Sequence, residues 1–408
     1  MIGSGIGGLA AAYVLSRTDR VTLFEADGRL GGHADTHLAG PSGAIPVDTG
    51  FMVYNERTYP LLSRLFGELG IATRGCDMSM SVTCRGCGVG YAGKRGPAGL
   101  AAGLHRGGWR YLRMLTEVPR FHRAARRAVE SGALAGLPLG EFLRTAGFSR
   151  YFAEHFAVPV VAAVWSCPAG TALRYPAGYL FAFLANHGML SVSGSPRWRT
   201  VRGGSRSYVQ RVAARVAEVR LAAPVRSVRR HPGGAEVRDA SGAVTGFDAV
   251  VIATHPDQAL RLLDPPTRAE REVLGAFGYT ANRATLHTDA RVLPASAAVR
   301  ASWNYELSCA GTAAARISYH LNRLQGLPDG EDYIVTLGGG RGIDPGRVLA
   351  TMDYAHPAYT RESVAAQRRL AELNTGVTAF AGAYHGWGFH EDGCRSGVAA
   401  ARALGGTW

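Results

Sequence analysis

The first residues able to do chemistry stand at the start of the chain. Gly3-Ser4-Gly5-Ile6-Gly7-Gly8 runs into Leu9-Ala10-Ala11-Ala12-Tyr13-Val14-Leu15, a GxGxxG turn that opens a helix of small residues. Gly3 permits the tight turn, Gly5 lets backbone approach a pyrophosphate, and Gly8 lets the helix pack closely on a strand. Ile6 and Gly7 complete the first helical turn, whose free N–H groups and positive dipole end suit phosphate. Val21-Thr22-Leu23-Phe24 reads as a second strand. It ends at Glu25, 22 residues after Gly3, where a carboxylate accepts from the two hydroxyls of an adenosine ribose. Together these features indicate a dinucleotide-binding fold. A buried central strand before Gly3 needs several apolar residues, and only Met1 and Ile2 stand there, so an earlier start is expected for the natural chain.

A second glycine turn follows the ribose acid: Ala26-Asp27-Gly28-Arg29-Leu30-Gly31-Gly32-His33. Further on come Val47-Asp48-Thr49-Gly50-Phe51, a D-x-G stretch, and Phe247-Asp248-Ala249-Val250-Val251-Ile252-Ala253-Thr254, a buried strand ending in small residues. Near the end, Ala379-Phe380-Ala381-Gly382-Ala383 leads through Tyr384-His385-Gly386-Trp387-Gly388-Phe389-His390-Glu391-Asp392-Gly393 into a helix placed near Cys394. In these motifs the chain resembles the FAD-dependent amine oxidase and phytoene desaturase superfamily, and within it a bacterial branch of NAD/FAD-binding proteins. Trp165-Ser166, Pro196-Arg197-Trp198-Arg199-Thr200 and Trp303-Asn304-Tyr305 strengthen the likeness to that branch.

The resemblance implies noncovalent FAD and a set of contacts to it. Glu25 and Ala26 would meet the adenosine, with Val225 at the adenine. Arg29, Gly31, Gly32 and His33 would line the pyrophosphate and ribityl, His33 standing where the superfamily often has Arg. Gly50 and Phe51 lead toward the flavin, and Ala253 closes the returning strand. Gly382, Ala383, Glu391 and Asp392 would lie at the flavin end, Ala383 replacing a common acidic residue. The final helix would aim its N-terminus at the flavin edge, where the dipole favours negative charge on reduced flavin. His390 falls near an active-site aromatic position, and with Glu391 and Trp303 it forms the expected catalytic set. His390 and Glu391 have a plainer reading as braces of the loop and caps of the helix, and Trp303 as sheet packing.

The remaining elements must position these residues. The expected architecture is α/β: a Rossmann-type FAD-binding domain of discontinuous segments, interleaved with an α+β substrate domain of antiparallel sheet and helices. The segments read as 1–95 (FAD-binding, with entry to the substrate domain), 96–195 (helical cap), 196–256 (FAD-binding), 257–370 (substrate sheet and helices) and 371–408 (FAD-binding). Residues 97–194 read as helical with breaks at Pro119, Pro159, Pro168 and Pro176. Gly203-Gly204-Ser205 opens a helix running to about Val219. Strands are expected at 285–288, 302–307, 314–320 and 333–337.

Composition narrows the chemistry. Of 408 residues, 47% are hydrophobic, enough for a sizeable core. The formal charge is +14, and Lys94 is the only lysine, so mechanisms needing several lysines are excluded. Relatives that oxidise amines often hold a lysine near the flavin; here only Lys94, in an apparent turn, is available. The six cysteines are too few and scattered for a disulfide scaffold. Cys84-Arg85-Gly86-Cys87 is a lone CxxC that needs two more ligands, with Cys76 and nearby histidines in view; turn and strand cysteines are the expectation, with no metal. No run of ~20 apolar residues spans a membrane.

The segment from His105 to Val129 interleaves Arg106, Arg110, Arg113, Arg120, Arg123, Arg126 and Arg127 with Trp109, Tyr111, Leu112, Met114, Leu115, Val118 and Phe121. It reads as an amphipathic helix that either solvates its arginines or meets an anionic bilayer. No nucleic-acid motif accompanies it. Residues 151–190 are rich in Phe, Val, Leu and Trp and read as core or as the wall of an apolar tunnel. The leading expectation is an FAD-dependent oxidoreductase of a small hydrophobic substrate, an acyl chain or isoprenoid, in the cytoplasm and peripheral to the inner membrane face. The alternatives are an amine oxidase, a redox-neutral flavin isomerase and a non-catalytic FAD-binding protein.

Overall fold

In the computed structural model, which describes residues 1–93, 95–132, 134, 136–191, 194–309, 315–338 and 340–408, two sheets organise the chain. The first is parallel and assembled from distant pieces. Thr22–Phe24 pairs with Glu218–Arg220, and Val250–Ile252 pairs with Thr378–Phe380. Ile2 joins the two halves by bridging Phe24 and Ile252, so it occupies the central strand position. Sequence segments separated by hundreds of residues thus meet edge to edge, as a discontinuous Rossmann-type domain requires. The helices Ile6–Leu15 and His390–Ala403 pack together on this sheet; Gly8 and Gly397 allow it, since a Cβ on Gly8 would collide with the Gly3 carbonyl and one on Gly397 with the Gly7 carbonyl. Every residue of the first helix is buried, which its all-apolar composition demands.

The second sheet has seven strands in the order Val348–Ala358, Gly278–His287, Ile334–Leu337, Arg316–His320, Trp303–Leu307, Met80–Cys84 and Gly90–Gly93. Its neighbours are antiparallel except Trp303–Leu307 with Met80–Cys84. Helices from residues 96–186 cover it, and one apolar cluster joins both layers, with Phe121, Phe152, Phe181, Leu286, Tyr305 and Leu324 buried in it.

Several expectations need correction. Pro119 does not break its helix: Gly96–Ser131 runs through it, and the single non-helical residue inside is Gly108, at φ 50° and ψ −141°. Met114, Phe121 and Ala125 are buried on either side of Pro119, and that packing offsets the missing N–H. Pro168 and Pro176 instead stand at helix starts, where no N–H is needed, while Pro159 lies inside the continuous helical run 150–165, just after the π-turn Ala153–Ala157. The helix after Gly204 ends at Ala213, and the expected remainder contains the parallel strand Glu218–Arg220. The strand expected at 285–288 begins seven residues earlier, and its partner Val348–Ala358 was not anticipated. The final helix starts at His390, ahead of Cys394. Lys94 and Ala314 lie outside the described residues.

Candidate functional site: a dinucleotide cradle with a histidine-rich end

The first glycine turn and Glu25 are physically joined. Ser4 donates its backbone N–H and its hydroxyl to Glu25 Oε2, at 2.9 and 2.5 Å, while Asp27 N donates to Oε1 at 3.0 Å. The same Ser4 hydroxyl accepts from Gly31 N at 3.0 Å, locking the second glycine turn onto the first. Gly3 sits at φ +96°, and a Cβ there would lie 2.9 Å from the Ala253 carbonyl. A Cβ on Gly5, by contrast, would meet nothing within 4 Å. Open space at Gly5, beside helix N–H groups that no side chain caps, fits a pyrophosphate. Gly32 comes within a would-be Cβ distance of 3.2 Å of Gly5, and Gly7 within 3.1 Å of Gly382 N, so all three glycine turns meet here.

The remaining expected contacts distribute along this cradle. Ala223 N donates to the Glu25 carbonyl at 2.9 Å, which brings the strand starting at Val225 beside Glu25. Ala26 and Arg29 are exposed at the rim, and Arg29 pairs with Asp35 at 3.1 Å. A Cβ on Gly50 would collide with the His33 carbonyl, and Phe51 N donates to that same oxygen at 2.6 Å. Asp48 stands beneath them: it accepts from Ser205 N, Ser205 Oγ and Thr36 Oγ1, tying this stretch to the start of helix Arg206–Ala213. Gly382 N donates to Ser396 Oγ at 2.9 Å, anchoring the last strand to the final helix. The Ala383 carbonyl accepts from Gly386 and Gly388.

Histidines crowd the inner end. His33 stacks on Tyr354 at 5.1 Å and faces His356 at 5.3 Å; burial, with His356 and His255 close by, holds it well below the ordinary histidine range. His390 stacks on Phe51 at 3.7 Å and meets Tyr208 Oη through Nε2 at 3.1 Å. Burial pushes His390 down to about 3 and His385 and His356 down to about 4, so all three are neutral at physiological pH. His33 Nε2, His385 Nε2, Tyr384 Oη and Trp387 Nε1 are buried without a hydrogen-bond partner. Such polar atoms are rarely orphaned in a folded protein, and they fit a planar heterocycle with its own donors and acceptors, as a flavin has.

Of the expected catalytic set, His390 and Glu391 are brought to this end, at the first turn of the final helix. Glu391 is engaged: its carboxylate accepts from Leu61 N at 3.1 Å and Leu62 N at 3.0 Å, the first N–H groups of helix Pro60–Glu68. Asp392 accepts from Phe389 N at 3.0 Å, and burial raises its pKa to about 6. Trp303 stands in the seven-stranded sheet with its ring edge-on to Tyr319 at 5.1 Å. Ser4, Ser205, Tyr208, His356 and Ser396 were not singled out from the sequence. Only Ser4 carried a signal, a hydroxyl inside a glycine turn that has to be buried.

Comparison with known proteins places this geometry. Residues 6–321 match the family model of flavin containing amine oxidoreductase. The chain belongs to that family. Its cofactor is FAD, and it is an oxidoreductase. Among solved structures, putrescine oxidase bound to putrescine superposes with TM-score 0.70 at 16% identity, covering 99% of this chain and 97% of that one. Cyclohexylamine oxidase from Brevibacterium oxydans IH-35A gives 0.70 at 17% over the same shares. A fatty acid isomerase from P. acnes, described as producing CLA, gives 0.68 at 15%, covering 97% and 96%. These likenesses establish the shared fold. No curated protein matches the sequence.

Proposed function

We propose that this flavoenzyme removes hydride from an apolar substrate, an acyl chain or an isoprenoid, as a desaturase or dehydrogenase does. The observation that carries this reading is the surroundings of the loop before the final helix. Phe183 stacks on Phe389 at 4.7 Å and on His187 at 4.0 Å, and Trp165 lies 4.6 Å from Phe183. Beside this aromatic wall the carboxylates are already engaged: Glu391 with Leu61 and Leu62, Asp392 with Phe389 and Arg395. None of these acids is free to pair with a substrate ammonium, whereas an apolar chain needs only the wall.

Bound FAD supplies the hydride acceptor. The chain's own residues orient substrate, exclude water and move a proton. His385 is neutral, and its Nε2 is buried without a partner, so it can take a proton from the carbon beside the one that loses hydride. His390, fixed between Phe51 and Tyr208, holds the start of the final helix, whose positive end favours charge developing nearby.

A second reading, amine oxidation, rests on Tyr179, Tyr359 and Trp387. The first two rings are 5.0 Å apart and the first and third 6.2 Å, a set able to hold a cation by its ring faces. Return of the hydride to the same substrate would make the enzyme an isomerase.

The same reading extends to where substrate is met. Leu100, Leu104, Trp109 and Leu112 are exposed on helix Gly96–Ser131, Trp109 by 67%. Arg106, Arg110, Arg123 and Arg127 on that helix are exposed and have no carboxylate partner among the described residues. Apolar anchors beside free arginines suit the surface of an anionic bilayer. Among the described residues no helix is long and apolar enough to cross a membrane.

The test is a spectral titration of the flavin-loaded enzyme with a long-chain fatty acid and with putrescine. The fatty acid should perturb the flavin bands saturably, and Phe183→Asp should weaken that effect at least tenfold, the loss of about 1.4 kcal/mol of apolar contact. Saturable perturbation by putrescine alone would favour amine oxidation.

A further inference from the structure

Four metal-ligating side chains converge at one end of the seven-stranded sheet, outside the glycine cradle. Cys84 closes the strand Met80–Cys84, and Cys87 lies in the turn that leads to Gly90–Gly93. Cys309 follows the strand Trp303–Leu307, which runs parallel to the first with Leu307 opposite Cys84. His155 comes from above, out of the π-helical turn Ala153–Ala157. The three sulfurs and one imidazole nitrogen all lie within 4.8 Å of one another.

The details fit a metal. Cys87 Sγ lies 3.4 Å from His155 Nε2. The other ring nitrogen, Nδ1, is 3.1 Å from the Tyr151 carbonyl. With the ring N–H donated to that oxygen, Nε2 carries the lone pair and faces the sulfurs, the orientation metal-bound histidines adopt. Cys309 N donates to Cys84 Sγ at 3.4 Å, and the turn after Cys87 is closed by Gly88 N donating to the Cys84 carbonyl at 2.9 Å, with Gly88 at φ +73°. N–H groups aimed at sulfur favour its thiolate form. Bonds of about 2.3 Å to sulfur and about 2.0 Å to nitrogen put the ligand atoms of a tetrahedral zinc site roughly 3.5–3.8 Å apart. The cluster needs only small side-chain adjustments to reach that spacing.

We propose that Cys84, Cys87, Cys309 and His155 hold one zinc ion in a closed, structural site. Three thiolates and an imidazole at tetrahedral spacing select zinc over the oxygen-seeking cations, and four protein ligands leave no position open for substrate. A Cys84–Cys87 disulfide would use two of the four groups and leave His155 and Cys309 unexplained; all six cysteines are free thiols in the structure. The ion would fasten the helical layer, through His155, to two strands of the sheet that it covers. The CxxC supplies two of the four groups, and the two that stand within reach of it are His155 and Cys309 rather than Cys76.

The test is metal analysis of the full-length, flavin-loaded protein after removal of any histidine tag. Wild type should carry about one zinc per chain, and Cys84→Ser with Cys87→Ser should carry less than about a tenth of that, while Cys76→Ser keeps it. If the double variant does not fold, the wild type decides: a thiol-blocking mercurial should release the zinc as it titrates the thiols, and cobalt substituted for zinc should show the absorption of a tetrahedral cobalt–thiolate centre. A wild type that neither contains zinc nor takes it up, when reduced, in competition with a weak chelator overturns the proposal. So does zinc retained in full by folded His155→Ala and Cys309→Ser variants.

Discussion

Ser4 and Glu25 form the joint of the cofactor cradle: one carboxylate oxygen of Glu25 receives both the N–H and the hydroxyl of Ser4, and that hydroxyl in turn receives Gly31 N. The acid that would bind ribose therefore also sets the shape of both glycine turns. Two kinds of loss follow from removing it.

Glu25→Ala should weaken FAD binding by one to two orders of magnitude, since a charge-assisted hydrogen bond is worth about 1.5–3 kcal/mol. Ser4→Ala should weaken it less, because the ribose acceptor survives. Flavin retained after desalting measures both, and denaturation should free the flavin into the supernatant, as noncovalent binding requires. Full occupancy in Glu25→Ala would count against the ribose role.

How much of this was legible in advance depended on what kind of constraint each residue meets. Gly3, Gly5, Gly8, Gly31 and Gly32 answer to backbone geometry within a few residues, so spacing alone exposes them. His390 and Glu391 came from resemblance, and their partners Tyr208 and Leu61–Leu62 are set by packing between distant helices, which no local pattern records. The zinc ligands show the same limit: Cys309 stands 225 residues from Cys84 and His155 stands 68 from Cys87, so the sheet register joins them and sequence spacing does not. Pro119 misled because a local rule lost to tertiary burial.

Glu391 separates bracing from chemistry. Glu391→Ala should cost about 1–2 kcal/mol of stability, the loss of an acceptor at the start of helix Pro60–Glu68. Glu391→Gln, which keeps one acceptor oxygen, should lose less. Thermal unfolding with bound flavin reads the effect. A variant of unchanged stability whose substrate turnover collapses would move Glu391 into the reacting set.

Acid should destabilise the fold early. Burial lowers His187, His356 and His385 to about 4 and His390 to about 3, from 6.5 in the unfolded chain. Below pH 6.5 the unfolded chain takes up these protons and the folded chain does not. Stability is therefore full above pH 6.5 and is lost as pH falls toward 4, at about 1.4 kcal/mol per pH unit for each group. Asp48 and Asp392, raised by burial to about 6, act oppositely, adding stability as pH falls from 6 to 3.8, but two groups do not outweigh four. The urea midpoint should drop from pH 7.5 to pH 5, and less so in His385→Gln. A midpoint independent of pH would contradict the buried neutral histidines.

The arginine helix makes its own prediction. The protein should bind anionic vesicles more tightly than neutral ones, with strong salt dependence, because each arginine near such a surface is worth about 1 kcal/mol. Replacing Arg106, Arg110, Arg123 and Arg127 together should abolish the preference and spare flavin binding. Trp109→Ala should weaken binding even at low salt, since it removes an apolar anchor of which 67% is exposed. Equal, weak binding to both vesicle types would show a merely solvated face.

The central claim, hydride removal from an apolar substrate, is tested most directly by the anaerobic half-reaction. The FAD-loaded enzyme is mixed without oxygen with a long-chain fatty acid, an isoprenoid hydrocarbon and putrescine in turn, and the oxidised flavin band is followed. The account predicts stable bleaching by one of the apolar chains and none by the amine. Bleaching by putrescine alone, with both apolar chains inert, would contradict it.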